Sequence, residues 1–264
     1  MSEPLFSLIT ICFNSEKTIE RTIKSVLAQT CKDYEYIIVD GASKDNTLDI
    51  VKRYEPLFEG RMKWKSEPDK GIYDAMNKGI RMATGDIIGI VNSDDWLESG
   101  AVEVVANAFD ENKQDTNTLY CGDIVFHYNN DEQKRMDANI SLFKKNAPLW
   151  IMNGIRHPAT FVPRKVYDRI GLFNDKMKLS ADQDFILRCY FQGVNFYHVN
   201  YILSNMAAGG LSTDNTKTSL EASIHDRRIM LKENNIHGFK YLWLWYTWRT
   251  MVVISRLSKR INKK

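Results

Sequence analysis

Four cysteines are scattered through the 264 residues, at Cys12, Cys31, Cys121 and Cys189. None stands at CxxC or zinc-ligand spacing, so neither a disulfide framework nor a structural zinc site is expected. Glycine is missing where a dinucleotide-binding fold needs it. The first apolar run, FSLITIC, is followed by Phe13-Asn14-Ser15-Glu16, which contains none, and the G-x-G-x-x-G turn of a nucleotide-dependent oxidoreductase is thereby excluded. Met1-Ser2-Glu3-Pro4 carries no basic segment leading into an apolar one, which argues against a secretion leader and predicts a cytosolic protein. Internal repeats and low-complexity linkers are also lacking. The apolar stretch after Phe239 is broken by Lys240 and Arg249, too short and too charged for a membrane span.

What is present is ordinary globular composition, 44% hydrophobic and 26% charged, enough for one large core with a tail. The formal net charge is +3, yet Arg249, Arg256, Lys259, Arg260, Lys263 and Lys264 stand together with no acid among them, so the basicity belongs to the tail.

Hydrophobic patterning alternates between strand and helix. Phe6 to Cys12 reads as a strand buried on both faces, and Ile19, Ile23, Val26 and Leu27 form the stripe of an amphipathic helix that Asn14 or Ser15 would cap. The order repeats with strand Tyr36 to Val39 and helix Thr47 to Tyr54, then strand Met62 to Trp64 and helix Ile72 to Met82, then strand Ile87 to Val91. Further on, Ala101 to Phe109, Lys165 to Ile170 and Asp182 to Phe191 read as helices, and Thr118 to Phe126 and Asn195 to Tyr201 as strands. Tyr128 to Arg135 reads as a loop or hairpin tip. Thr218 to Asn234 and Phe239 to Ile261 read as two final helices, and the stretch holding Trp150, His157 and Pro158 carries no clear pattern. The expected class is α/β, a Rossmann-like, mainly parallel sheet flanked by helices, with a C-terminal helical extension.

In such sheets ligands sit beyond the carboxyl ends of the strands. Three polar groups fall there: Phe13-Asn14, Asp40 to Thr47, and Asn92 to Asp95. Each also has a plain structural role as helix cap or turn. Together they converge on one crevice, where Phe13 is suited to lie against a base and Asp40 to accept a ring N–H. Asp94 follows an apolar strand with no basic residue near it in sequence, a costly place for a carboxylate unless a cation pairs with it. A divalent metal suits, because hard cations take carboxylate and phosphate oxygens together.

The successive segments ITICFNSEKTIERTIKSVLAQT, YIIVDGASKDNT, PDKGIYDAMNKGIRMATGDIIGIVNSDDWL and HPATFVPRKVYDRIGLFN, followed by SADQDFILR, resemble the motifs of family 2 glycosyltransferases of the GT-A fold. The likeness runs from about Phe6 to about Ser212. It implies a catalytic domain over 1–212, with a nucleotide-binding half to about residue 100 and an acceptor-binding half after it, and an extension over 213–264. It also implies nucleoside contacts from Thr10, Phe13, Asn14, Asp40 and Ser43, with Asp69, Lys70 and Asn77 in the same pocket. Asn92-Ser93-Asp94 stands where the family has its Asp-x-Asp motif. With Asn92 in place of the first Asp, Asp94 is left as the strong ligand for Mg2+ or Mn2+, and Asn92 and Ser93 remain donor contacts.

Asp182 corresponds to the family's catalytic base, with Ala181 replacing the preceding Glu. Inverting transfer needs a carboxylate to take the acceptor proton, and the cation would stabilise the departing diphosphate. Asp182 also reads as a first-turn carboxylate of its helix, and Asp184 is its rival for the base. Asp123, His157 and the pair Gly209-Gly210 are implied acceptor or diphosphate contacts, each with a turn or packing role as the alternative.

The implied partners are a nucleotide-sugar donor, a UDP-sugar being the common choice, and a glycan or lipid-linked acceptor in surface-polysaccharide synthesis. Residues 239–264 combine Trp243, Trp245 and Trp248 with the basic cluster, as an amphipathic helix on an anionic membrane does, which places the expected protein at the inner face of the cell membrane. Packing of that helix on the domain is the alternative, and no motif supports nucleic-acid binding. A nucleotide-sugar-binding protein that has lost transfer is the rival reading, motivated by Asn92 and Ala181.

Overall fold

The computed structural model describes residues 3–128, 131–140, 154–208 and 217–234. Strand β1 (Phe6–Cys12) leads to α1 (Ile19–Leu27), β2 (Tyr34–Asp40) to α2 (Thr47–Tyr54), and β3 (Met62–Ser66) to α3 (Ile72–Met82). β4 (Ile87–Ile90), β5 (Trp96–Leu97) and α4 (Ala101–Glu111) follow, then the hairpin of β6 (Thr118–His127) and β7 (Gln133–Met136). The second half closes with β8 (Thr160–Pro163), α5 (Arg164–Ile170), α6 (Ala181–Phe191), β9 (Asn195–Ala207) and α7 (Lys217–Glu233).

One nine-stranded sheet runs β3-β2-β1-β4-β8-β6-β9-β5, with β7 paired to β6. β3, β2, β1 and β4 are mutually parallel, the expected pattern, because a helix carries the chain from each of β1, β2 and β3 to the next strand. The other half is mixed. β8 runs antiparallel to both β4 and β6, β5 antiparallel to β9, and β9 parallel to β6. The two-residue β5 and four-residue β8 are too short to show any period, and neither was expected.

Side chains of β1 alternate between the two faces. Ile9 and Ile11 join a core with Tyr73, Met76 and Ile80 of α3, Val166 and Tyr167 of α5, Phe185 of α6 and Met230 of α7. Phe6 and Leu8 join a second core with Ile19 and Ile23 of α1, Val51 of α2 and Val105 of α4. A sheet covered on both faces explains why all seven residues of β1 are buried.

From β1 the chain winds outward through β2 to β3, then returns to place β4 on the other side of β1. That reversal is a topological switch point, where strand-end loops splay apart and leave a crevice. Phe239 to Ile261 lies outside the described residues, and among those described no helix is long and apolar enough to cross a membrane.

Candidate active site

At the carboxyl end of β1 the aromatic ring of Phe13 is 60% exposed, an unusual state for a phenylalanine and a ready face for a planar ligand. Asn14, in the left-handed region at φ 50°, does not cap α1. Its N–H donates to Ser43 Oγ (2.8 Å) and its Oδ1 accepts from Lys44 N (2.8 Å), so it stitches the β1 loop to the β2 loop. Gly41 sits between these loops and Asp69. A Cβ there would stand 2.5 Å from Asp69 Oδ2 and 3.2 Å from the Phe13 ring, so glycine alone permits this approach of Phe13, Gly41 and Asp69.

Several expected nucleoside contacts are placed differently. Thr10 is fully buried and its hydroxyl accepts from Tyr36 Oη (2.9 Å), which holds it inside the sheet rather than in the crevice. Asp40 is also fully buried. Its carboxylate accepts from the Ser43 amide and hydroxyl and from Ser66 Oγ, so it organises the β2 loop and presents Ser43. Asn77 commits both ends of its amide to the backbone of Phe173, at 2.9 and 3.0 Å, and is therefore a clamp on that loop. Lys70 is exposed, and its amide donates to Asp74.

Ser93 reaches Ser15 across the switch point, hydroxyl to hydroxyl at 2.9 Å. Beside it, Asn92 Nδ2 donates to Asp95 Oδ2 (3.0 Å), while Asn92 Oδ1 is buried and accepts no hydrogen bond among the described residues. Burial raises the Asp94 carboxyl, against the opposing pull of Arg21. Burial, and then the Asp94 charge, push Asp95 up to about 7. Arg21 lies over the Trp96 ring at 3.7 Å and donates to the Asp94 carbonyl (2.7 Å), so it braces this loop without pairing its carboxylate directly.

Two desolvated carboxyls and an unsatisfied carbonyl oxygen suit a cation. Asp95 is 2% exposed and already accepts from Asn92 and from the Ala207 amide, leaving Asp94 and Asn92 Oδ1 to face one. Among the described residues no three His, Cys, Asp or Glu side chains gather into a closed metal cage. The donor set therefore fits a cation completed by ligand oxygens.

A second group of polar residues gathers around the start of α6. Asp182, in its first turn, accepts from Tyr73 Oη at 3.2 Å. Burial and the Asp182 charge push the Tyr73 phenol well up, so it stays a donor. Tyr73 belongs to the first turn of α3, whose start is Gly71 at φ 134°, a backbone geometry that requires glycine. Asp69 Oδ1 caps that turn through Gly71 N (3.0 Å). The crevice residue Asp69 and the partner of Asp182 are thus four residues apart on one short piece of chain.

Three basic side chains also feel the Asp182 charge. Burial lowers Arg156, His157 and Arg227, the last to about 10, and in each case the Asp182 charge opposes the fall. His157 packs edge-on to Phe173 (5.4 Å between centroids), which also touches the Tyr73 ring (5.9 Å). Asn77, by fixing Phe173, therefore supports both neighbours of Asp182.

Asp184 is excluded as the base: it is 1% exposed and held by Arg188 Nε and Asn234 Nδ2, both at 2.8 Å. Asp123 is likewise fully buried, its oxygens bonded to Arg135, His198 and the Ala138 amide, so it holds these elements together. Gly209 and Gly210 lie outside the described residues. Tyr73, Arg21 and Arg227 were not singled out from the sequence. Tyr73 stands inside the quoted motif PDKGIYDAMN, whereas nothing near Arg227 marks it.

A mixed sheet flanked by helices, parallel in its first half and with polar strand ends at its switch point, is the architecture of the GT-A glycosyltransferases. The chain belongs to glycosyl transferase family 2, whose model matches residues 7–171. It is 32% identical over 216 residues to a PGL/p-HBAD biosynthesis glycosyltransferase of Mycobacterium tuberculosis, covering 80% of each chain. It is 28% identical over 245 residues to chondroitin synthase of Escherichia coli, covering 90% of this chain and 34% of that enzyme. Among solved structures, S. aureus TarS 1–349 in complex with UDP-GlcNAc superposes with a TM-score of 0.67 at 20% identity, over 90% of this chain and 69% of that one. The longer TarS chain is spanned to 41%.

Proposed function

We propose that this glycosyltransferase moves a sugar from a nucleoside diphosphate donor, a UDP-sugar, to a hydroxyl of a glycan or lipid-linked acceptor in surface-polysaccharide or glycolipid synthesis, with inversion at the anomeric carbon. The donor class is supported by the exposed Phe13 ring beside Gly41 and Asp69, and by the UDP-GlcNAc named for the TarS structure of the same fold. The acceptor class is supported by the relatives named for PGL/p-HBAD biosynthesis and as a chondroitin synthase.

In this reading Phe13 stacks on the base, and Ser43, presented by Asp40, meets the nucleoside. Asp94 and Asn92 Oδ1 would hold Mg2+ or Mn2+, which would supply Lewis-acid stabilisation of charge on the departing diphosphate. Asp182 takes the proton from the acceptor oxygen as that oxygen attacks the anomeric carbon and the bond to the diphosphate breaks. Tyr73 fixes one carboxylate oxygen and leaves the other for the acceptor. Burial keeps His157 neutral, a hydrogen-bonding group rather than a charge.

The single observation that carries the proposal is the bond from Tyr73 to Asp182 on the turn that begins at Asp69. It supports the reading of Asp182 as a base near Asp69. The test compares wild type with Asp182→Asn for turnover and for donor affinity by calorimetry. Turnover falls by about 10²–10⁴-fold with affinity kept; full turnover in the variant contradicts the base assignment, and donor binding with no turnover in the wild type itself favours a binding protein.

For residues 239–264 we propose an anionic membrane surface as partner, because three tryptophans stand beside a basic cluster. Replacing Arg256, Lys259, Arg260 and Lys263 by Glu abolishes sedimentation with phosphatidylserine vesicles while leaving donor affinity unchanged. Undiminished sedimentation contradicts the assignment.

A further inference from the structure

We propose that α7 belongs to the catalytic unit, with Asp226 as the positioning residue that sets Asp182. This rests on Asp182 being the base.

The side chain of Asp226 is fully buried, and its carboxylate accepts from three successive amides. Lys178 N donates to both oxygens (2.9 and 3.0 Å), Leu179 N to Oδ2 (2.6 Å) and Ser180 N to Oδ2 (3.0 Å). Amides turned in sequence toward one anion form a nest, and here the anion is a side chain of this same chain. His225 Nδ1 lies 3.3 Å from Oδ1. A buried carboxylate held chiefly by amides is tolerable only while they stay in place, which makes the contact an exacting one.

Ser180 is the N-cap residue just before α6, and its own side chain does not cap that helix. The geometry of the start is therefore set by Asp226, two residues before Asp182. The rest of α7 grips the same segment on both sides: Arg227 Nη2 donates to Gln183 Oε1 (3.4 Å), Asn234 Nδ2 to Asp184 Oδ1 (2.8 Å), and Glu233 Oε2 accepts from Asn174 Nδ2 (2.6 Å). Residues 174 to 184 are thus pinned to α7 at four places, with Asp182 inside the pinned stretch. A base must sit within hydrogen-bond reach of the acceptor oxygen, and displacement by about 1 Å costs on the order of 10²-fold in rate. Holding that reach is the task the structure assigns to Asp226.

The test uses the full chain with Asp226→Asn, Asp226→Glu and Asp182→Asn. Turnover per folded molecule, donor affinity by calorimetry, and hydrogen exchange at residues 178–182 are read for each. Asp226→Asn lowers kcat by about 10- to 100-fold with donor affinity within twofold of wild type, and exchange quickens at 178–180 while the β1–β4 amides keep their protection. Should the Asn variant not fold, Asp226→Glu keeps the charge but moves it by one methylene, and the same split between kcat and affinity is expected. Wild-type kcat in either folded Asp226 variant, with Asp182→Asn inactive, overturns the inference. Turnover that survives Asp182→Asn instead overturns the assignment of the base, and the inference with it.

Discussion

Asn92 stands next to two carboxyls that burial already holds above their ordinary range. A third carboxylate at that position would add like charge in a poorly solvated loop, and a cation would relieve it. Asn92→Asp is therefore expected to lower the melting temperature in chelator and to gain more from added Mn2+ than wild type does, because a ligand bound to the folded state stabilises by mass action. Equal Mn2+ shifts in both proteins contradict a cation at Asp94. Gly41 is tested in the same way. Gly41→Ala forces Asp69 off the Phe13 side of the crevice, and donor affinity falls by about tenfold, near 1.4 kcal/mol, with little change in kcat. Unchanged affinity places the nucleoside elsewhere.

Among the elements, β2 carries the most exacting buried charge. Glu35 is 4% exposed and accepts from Ser7 Oγ, Lys63 Nζ and the Thr84 hydroxyl and amide, joining β1, β3 and the loop before β4. Burial alone would raise its carboxyl, but these hydrogen bonds overcome it and draw it from 4.5 to about 2. A lowered folded-state value stabilises fully above the unfolded one. The contribution, of order 3 kcal/mol at most by linkage, is thus complete above about pH 4.5 and fades as pH falls toward about 2. Urea melts of wild type and Glu35→Gln should differ most near neutral pH and converge in acid. A gap independent of pH contradicts the ionic origin. The elements themselves were legible where burial imposed a period: α2 and α3 begin and end where Thr47, Tyr54, Ile72 and Met82 had marked them. β5 and β8 were not, because Trp96–Leu97 and Thr160–Pro163 are strands only through pairing with β9, β4 and β6, and no short-range pattern encodes a distant partner.

At the scale of the molecule, α7 supplies Met230 and Leu231, 1% and 7% exposed, to the core that also contains Tyr73 and Phe185. Ending the chain at Ser212 removes these side chains together with Asp226. It is expected to lower the melting temperature by several degrees or to prevent folding, and a fully stable, active 1–212 fragment contradicts this. The site was only partly legible in sequence for the same reason of distance. Phe13, Asp94 and Asp182 stood out because strand ends and motif order mark them. Arg227 and Asp226 lie more than forty residues from Asp182, and only the folded chain brings them to it. The framework roles of Thr10, Asp40 and Asn77 were not legible, because a polar residue near a strand end serves a ligand and a buried framework equally well and their partners, Tyr36, Ser66 and Phe173, are distant in sequence.

The central claim is that a diphosphate at Asp94 and the base at Asp182 address opposite sides of one sugar. A crystal structure with a UDP-sugar and Mn2+ measures this directly. The account predicts the cation between Asp94 and the diphosphate, the base on Phe13, and the anomeric carbon facing the free oxygen of the Asp182 carboxylate. A donor bound with Asp182 in a separate cleft would contradict it.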